Sequence, residues 1–175
     1  MSRVAVVSPF SRPAEAEAAL ARDLEVACVI ATAPEELAIH HEIRRRVFVL
    51  EQRFFEGTDR DEHDADPATV HILGLYGPVA GGAVRIYPLG EPGLWKGDRL
   101  AVLPAFRRRG LGAPLVRFAV RTAAARGGER MIAHIQPPNV RFFEHLGWER
   151  VGEPAEYVGR PHQLMAIDLR PFAEG

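Results

Sequence analysis

The stretch Leu100-Ala101-Val102-Leu103-Pro104-Ala105-Phe106-Arg107-Arg108-Arg109-Gly110-Leu111-Gly112, running into an apolar segment from Ala113 to about Arg126, decides the fold. It predicts a short buried strand, a tight turn rich in Arg and Gly, and then a helix. At such a junction the first backbone N–H groups of the helix have no intrahelical partner. With the positive end of the helix dipole they suit an anion, a phosphate above all. Gly110 and Gly112 let an anion approach the backbone closely, and Arg107, Arg108 and Arg109 add guanidinium forks that match phosphate oxygens. Two nucleotide-binding patterns are excluded on residues. The P-loop ends in Gly-Lys-Ser/Thr, but the only lysine here is Lys96, and the dinucleotide fingerprint needs three glycines in a G-x-G-x-x-G spacing. An ordinary strand–turn–helix with a solvated basic turn is the plainer alternative.

Working outward, 175 residues suit one domain with a sizeable core, or one domain plus a short appendage. The formal net charge of −1 gives no argument for nucleic acid or a membrane surface. No apolar run approaches the roughly 18 residues that span a bilayer, and the Val4–Val7 run is too short for a signal peptide core. The single cysteine, Cys28, excludes an internal disulfide and leaves the cytoplasm as the default compartment. It sits in an apolar run, as a small buried residue would, and makes a poor candidate for an acyl-carrying nucleophile.

Residues 1–24 read as an N-terminal appendage, with Val4–Val7 as a short strand and Pro13–Arg22 as a helix. Residues 25–171 read as the main domain. Val26–Ala31 is a continuous apolar run of strand length. Thr32 and Pro34 then open an amphipathic helix burying Leu37, Ile39, His40, Ile43, Val47 and Leu50, with Arg44, Arg45 and Arg46 on its solvated side. The acid-rich Gly57–Asp66 stretch follows. It lacks the glycine and the terminal glutamate of a calcium loop, and His63 with His71 gives no convincing transition-metal set. It is either a solvated loop or a rim whose carboxylates favour a cationic amine. Val70–Tyr76, Gly77-Pro78 and Val79–Tyr87 predict a β-hairpin, and Pro88–Gly97 a loop in which Trp95 packs on the sheet. Arg130–Ile135 reads as a strand, Val140–His145 as a short helix, and Trp148–Gly152 and His162–Leu169 as closing strands. Helix and strand alternate only in part, so the fold class is α+β with a mixed sheet rather than a doubly wound parallel one.

Arg107-x-x-Gly110-x-Gly112 resembles the Arg/Gln-x-x-Gly-x-Gly/Ala pyrophosphate loop of the GCN5-related N-acetyltransferases, the GNAT family. The element order over about residues 26–169 is similar to that family's. Asn139 through Phe143-Glu-His-Leu-Gly-Trp148 resembles its later Asn…Tyr-Glu-Lys-Leu-Gly-Phe motif. Val47-Phe-Val-x-Glu51-Gln52, His134-x-Gln136 and Arg160-Pro-His162-x-x-Met165 resemble a bacterial branch carrying Val-Phe-Val-x-Glu-Gln and Pro-His-x-x-Met. Within that branch the chain is similar to N-acetyltransferases associated with nitrogen starvation.

The resemblance implies a mostly antiparallel central sheet, splayed between strands 4 and 5 and flanked by helices. It implies transfer of acetyl from acetyl-CoA directly to an amine, with a small-molecule amine as partner, no metal, and a homodimer. Leu100, Ala101 and Val102 would meet the pantetheine arm, and Arg107, Arg108, Arg109, Gly110, Leu111 and Gly112 the pyrophosphate. Asn139 and Phe143 would complete the cofactor side, and Gln52, Gln136 and Tyr157 the substrate side. The Val102 N–H could stabilise a developing oxyanion. His134, Glu51 and His162 are the candidate bases, since the acceptor ammonium must lose a proton near neutral pH. Each has a plainer reading as well: a satisfied strand histidine, a surface carboxylate and a hydrogen-bonded loop clamp. Many relatives carry an acid-donating tyrosine on the short helix where this chain has Phe143, preceded by Phe142, so Tyr157 or water would have to protonate the leaving thiolate. Two other functions stay open: a non-catalytic acyl-CoA-binding regulatory module, and a protein lysine or N-terminal acetyltransferase.

Overall fold

Apolar runs of strand length and a proline at the head of α1 and of α2 set out the elements of the computed structural model, which describes residues 4–174. In chain order these are α1 (Pro13–Leu20), β1 (Val26–Ile30), α2 (Pro34–Arg44), β2 (Val70–Tyr76), β3 (Val79–Pro88), β4 (Leu94–Val102), α3 (Gly112–Ala125), β5 (Arg130–Ile135), α4 (Val140–His145), β6 (Glu149–Arg150), β7 (Ala155–Tyr157) and β8 (Arg160–Asp168). The sheet order is β1-β2-β3-β4-β5-β8-β6, with β7 also paired to β8. β4 and β5 are parallel, whereas β1–β2, β5–β8, β6–β8 and β7–β8 are antiparallel. This is the mixed, mostly antiparallel α+β arrangement expected. Among the described residues no helix is long and apolar enough to cross a membrane.

The chain forms two compact units. One comprises residues up to 85 together with 99–118, the other residues 86–98 together with 119 onward. In the first, the hairpin β2–β3 turns at Gly77 and is buried along almost its whole length. Its glycines are hollows for neighbouring side chains. A Cβ on Gly81 would lie 2.5 Å from the Phe106 ring, and one on Gly82 would lie 2.8 Å from Leu115 and 3.2 Å from the Ala101 carbonyl. Phe106 and Leu115, both buried, thereby seat the turn after β4 and the first turn of α3.

α2 begins at Pro34, one of the two residues read as opening it. Ala33 is its N-cap, and the Glu36 carboxylate accepts from the Thr32 and Ala33 N–H groups. Beyond Arg44 the chain continues as a π-helix, Arg45–Glu51, in which the Gln52 N–H donates to the Val47 carbonyl. The wider turn breaks the 3.6-residue pattern, and Leu50, expected in the core, is 55% exposed. Residues 4–24 are stitched to the same unit. Val7 bridges Val79, and the buried Tyr76 hydroxyl donates to the Arg22 carbonyl while accepting from the Leu24 N–H.

In the second unit, Leu94–Lys96 pair with Arg130–Ile132. The strand therefore starts earlier than expected, inside the stretch read as a Pro88–Gly97 loop. Trp95 is buried, and Gly128 leaves the room it needs, since a Cβ there would stand 2.7 Å from its indole. β7 was not anticipated. It joins β8 through Val158 (φ +50°) and Gly159 (φ +76°), the two positive-φ positions of a tight hairpin loop. The closing strand expected over Trp148–Gly152 is only the two-residue β6.

The Gly81 hollow gives the first test. Gly81→Ala forces a methyl against a buried ring that cannot swing aside, and should cost about 1–3 kcal/mol in urea unfolding. Gly110→Ala, whose Cβ meets no atom within 4 Å, should cost only the roughly 1 kcal/mol of a left-handed backbone.

Candidate functional site

The turn expected to bind an anion lies in the first unit. Gly112 opens α3, and the Leu115 N–H donates to the Leu111 carbonyl at 3.1 Å at the start of the helix, so the Gly112 and Ala113 amides precede the helical ladder. Pro114 has no N–H to contribute. Gly110 has φ +74° and open space where a side chain would be, so the backbone is accessible there. The three arginines have separate tasks. Arg107 donates from Nε to the Val102 carbonyl at 3.1 Å and from both terminal nitrogens to the Glu51 carboxylate. Arg109 donates to the Leu20 carbonyl (2.6 Å) and the Tyr76 hydroxyl (3.1 Å), which fastens the turn to the N-terminal segment. Arg108 is exposed and has no side-chain partner among the described residues. Two of the three guanidiniums are thus struts of the turn, a division that adjacency in sequence could not reveal.

Glu51, a candidate base, is the carboxylate that Arg107 holds. That hydrogen-bonded pair lowers its pKa and keeps it ionised, which makes it a weak proton acceptor near neutral pH. Gln52 follows it at the π-helix end, half-buried.

The acid-rich loop is not a free rim. Arg44, read from the sequence as solvated, is completely buried. It donates to Asp59 at 2.7 Å and to both oxygens of Asp64 at 2.6 and 3.0 Å. Arg85, equally buried in the middle of β3, donates to Asp61 (2.7 Å) and Asp64 (3.0 Å). Arg99 reaches Asp59 and covers the Phe55 ring. Asp59, Asp61 and Asp64 are therefore neutralised from within, and the expectation that they select a cationic substrate is corrected. A signal was present. Glu36, His40, Arg44 and Phe48 recur at four-residue spacing on one buried stripe, and an arginine inside an apolar strand needs an acid.

His41, Asp64 and His71 bring three potential ligand atoms within 4.8 Å of one another. Asp64 is nevertheless a poor metal ligand. Its Oδ1 accepts from Arg44 and from the His71 Nε2–H at 3.1 Å, and its Oδ2 from Arg44, Arg85 and the Asp61 amide. A cation would have to displace two guanidiniums.

In the second unit β5 alternates buried and half-buried residues, with Met131, Ala133 and Ile135 inward and Ile132 and His134 outward. Pairing Lys96↔Ile132 and His134↔Leu164 places Lys96, His134, Leu164 and His162 on one face of the sheet. Tyr157 lies over that face. Its ring stacks on His134 with centroids 3.7 Å apart and planes 4° from parallel, and meets His162 edge-on at 5.4 Å. The Lys96 ammonium donates to the Tyr157 hydroxyl at 2.8 Å. Burial, then the Lys96 charge, then His162 lower the His134 pKa, with Asp98 opposing, so the imidazole is neutral near pH 7. His162 is buried and donates from Nδ1 to the Arg160 carbonyl at 2.9 Å, which fixes its tautomer.

The structure thus gathers His134, His162 and Tyr157, and separately Glu51 with Arg107. Leu100 and Val102 are half-buried and Ala101 buried along β4. Gln136 is half-buried at the end of β5, and Asn139 is exposed at the start of α4. Phe143 is buried edge-on against Trp148 at 5.3 Å, a core contact.

The acetyltransferase (GNAT) family model matches residues 35–148. An acetyltransferase of Bacillus subtilis strain 168 is 32% identical over 135 residues, covering 77% of this chain and 90% of its own. The N-acetyltransferase YjcF of the same strain is 29% identical over 142 residues, 80% of this chain and 98% of its own. Among solved structures, Escherichia coli ElaA superposes with TM-score 0.70 at 24% identity, over 82% of this chain and 98% of its own. An acyl-CoA N-acyltransferase of Pseudomonas aeruginosa does so with TM-score 0.69 at 22% identity, over 82% and 99%.

The histidines beside the arginine lattice set an acid limit to stability. Burial first, and then the charge of Arg44, hold His40 well below its ordinary value and bring His41 down to about 4. The unfolded chain takes up these protons near pH 6.5, before the folded one does, so stability is lost as pH falls from about 6.5 towards 4. Urea midpoints at pH 7, 5.5 and 4 should fall in that order, and less steeply in His41→Gln.

Proposed function

Because the chain belongs to the GNAT acetyltransferase family, we propose that it transfers an acetyl group from acetyl-CoA directly to a primary amine of a small molecule. The observation that carries this reading is the turn before α3, where the Gly112 and Ala113 amides precede the helical bonds, Gly110 leaves open space and Arg108 is exposed. These groups suit the pyrophosphate of acetyl-CoA, with Leu100, Ala101 and Val102 beside its pantetheine arm and Arg107 and Arg109 shaping the loop. Acetyl-CoA would supply the activated acetyl thioester.

His134 is the base of choice. It is neutral near pH 7, half-buried, and lies on the open face of β5, so it can take the proton that the acceptor amine loses. His162 is the reserve candidate on the same face, whereas the pairing of Glu51 with Arg107 suits it to holding the loop. The Val102 N–H is the proposed donor to the acyl carbonyl oxygen. Gln52 and Gln136 are proposed to contact the acceptor, and Tyr157 to protonate the departing thiolate in place of the tyrosine that Phe143 replaces. Asn139 would serve the cofactor side. The motif Val47-Phe-Val-x-Glu51-Gln52 supports placement in the bacterial branch that carries it. With Asp59, Asp61 and Asp64 neutralised internally, these three carboxylates do not favour a cationic acceptor.

Release of free CoA thiol, followed with acetyl-CoA and a panel of small primary amines and lysine peptides, tests the reading. Turnover with one or more small amines is expected, with kcat lowered about 10²–10⁴-fold in His134→Gln. The acid limb of kcat/KM should lie below pH 6.5, since rate is lost as pH falls through the lowered His134 value. Acetyl-CoA binding without turnover on any amine would point instead to an acyl-CoA-binding regulatory module, and turnover on peptides alone to a protein acetyltransferase.

A further inference from the structure

Among 22 lysines and arginines the chain has a single lysine, and its ammonium rests on the tyrosine that stacks against His134. We propose that Lys96 is the positioning residue of this face: by donating to the Tyr157 hydroxyl it holds the phenol ring flat on the His134 imidazole and so orients both groups for proton transfer. The inference rests on the reading of His134 as the base.

Four observations carry it. First, His134 lacks the usual orienting bond. A base histidine is commonly held through a hydrogen bond at its second ring nitrogen, but here the buried Nδ1 has no partner among the described residues. The coplanar stack on Tyr157 is what remains to fix the ring. Second, Tyr157 is weakly held by its own strand. β7 has three residues, its other two are exposed, and the chain turns back immediately through Val158 and Gly159. The ring depends on Lys96, His134 and His162 for its place. Third, the bond has one direction. An ammonium only donates, so the Tyr157 oxygen accepts from it and the phenolic proton is left to point elsewhere. The same ammonium lies 4.9 Å from the centre of the ring it anchors. Fourth, Lys96 is well placed to act as an anchor, because Lys96↔Ile132 is the last pair of the parallel β4–β5 ladder and is held by backbone bonds. A compact ammonium on a four-carbon stem suits this bond; a planar guanidinium would present two or more donors over a wider fork.

The charged and titratable groups around His134 are Lys96 and Asp98 on β4, Tyr157 on β7 and His162 on β8, with Asp98 accepting from the Tyr87 hydroxyl at 3.2 Å. Of these, Lys96 alone both touches Tyr157 through a hydrogen bond and opposes protonation of His134 by its charge.

The test reads the rings without turnover. In the free protein, proton–carbon NMR of the histidine rings should show His134 shifted upfield by the tyrosine face. In Lys96→Met that shift should collapse and the His134 titration midpoint should move to higher pH. Tyr157→Phe keeps the ring and removes only the accepting oxygen, so it should reproduce the loss of the upfield shift even if Lys96→Met folds poorly. Under turnover, Lys96→Met should lower kcat tenfold or more with KM for acetyl-CoA little changed, and Lys96→Arg should retain the midpoint better than the rate. Unaltered His134 shifts and midpoint in a folded Lys96→Met protein would overturn the inference. Altered rings in a protein that transfers acetyl to no amine would sustain the positioning of the rings and overturn the assigned reaction instead.

Discussion

The buried carboxylate of Asp64 is the constraint on which the first unit depends. Taking a carboxylate and two guanidiniums out of water costs several kcal/mol per ion unless every donor and lone pair finds a partner. Here each does. Arg44 from α2 and Arg85 from β3 meet on Asp64, and the chain of charges continues through Asp59 and Asp61 to Arg99 on β4. An irregular loop, Gly57–Asp66, is thereby locked to a helix and two strands. The same lattice secures backbone strain. Arg99 takes φ +55° within β4, a conformation costing about 1–3 kcal/mol for a side chain of its kind. Its guanidinium is held by the Asp59 carbonyl and carboxylate and by the Phe55 face. The strand so bent leads directly into Leu100–Val102 and the anion turn.

Downstream of that strand the turn is built from struts. Arg107 spans the Val102 carbonyl and Glu51, and Arg109 spans Tyr76 and Leu20. The π-helix of residues 45–51 brings Glu51 to Arg107, a use of the wider helical turn in keeping with its occurrence at functional sites. What stays available to an anion is backbone and Arg108. In the second unit the candidate face is the one that alternation leaves half open, where Lys96, His134, His162 and Tyr157 come together.

Most of the fold was legible because its signals are local and periodic. The hairpin at Gly77-Pro78, β5 over Arg130–Ile135 and α4 over Val140–His145 fall where the sequence puts them. The misses have physical causes. Arg44 read as solvated because charge outweighed its place on a buried stripe, and its acids lie 15 and 20 residues away. Leu50 read as core because a π-turn is invisible to a 3.6-residue pattern. β7 is too short for alternation to register. At the candidate site, the residue types pointed to His134, His162 and Tyr157 separately, but only the strand register could show that they meet on one face. The tasks of Arg107 and Arg109 likewise depend on Glu51 and Tyr76, far away in sequence.

The central claim is that the turn before α3 receives the pyrophosphate of acetyl-CoA on its backbone. Calorimetric titration of the wild-type protein and of Gly110→Asp with acetyl-CoA tests it most directly. The new side chain has open space and a backbone that aspartate tolerates, so the variant should stay folded while placing a negative charge at the anion site. The account requires micromolar binding by the wild type and its loss in the variant. Equal binding by both, or no binding by a folded wild type, would contradict it.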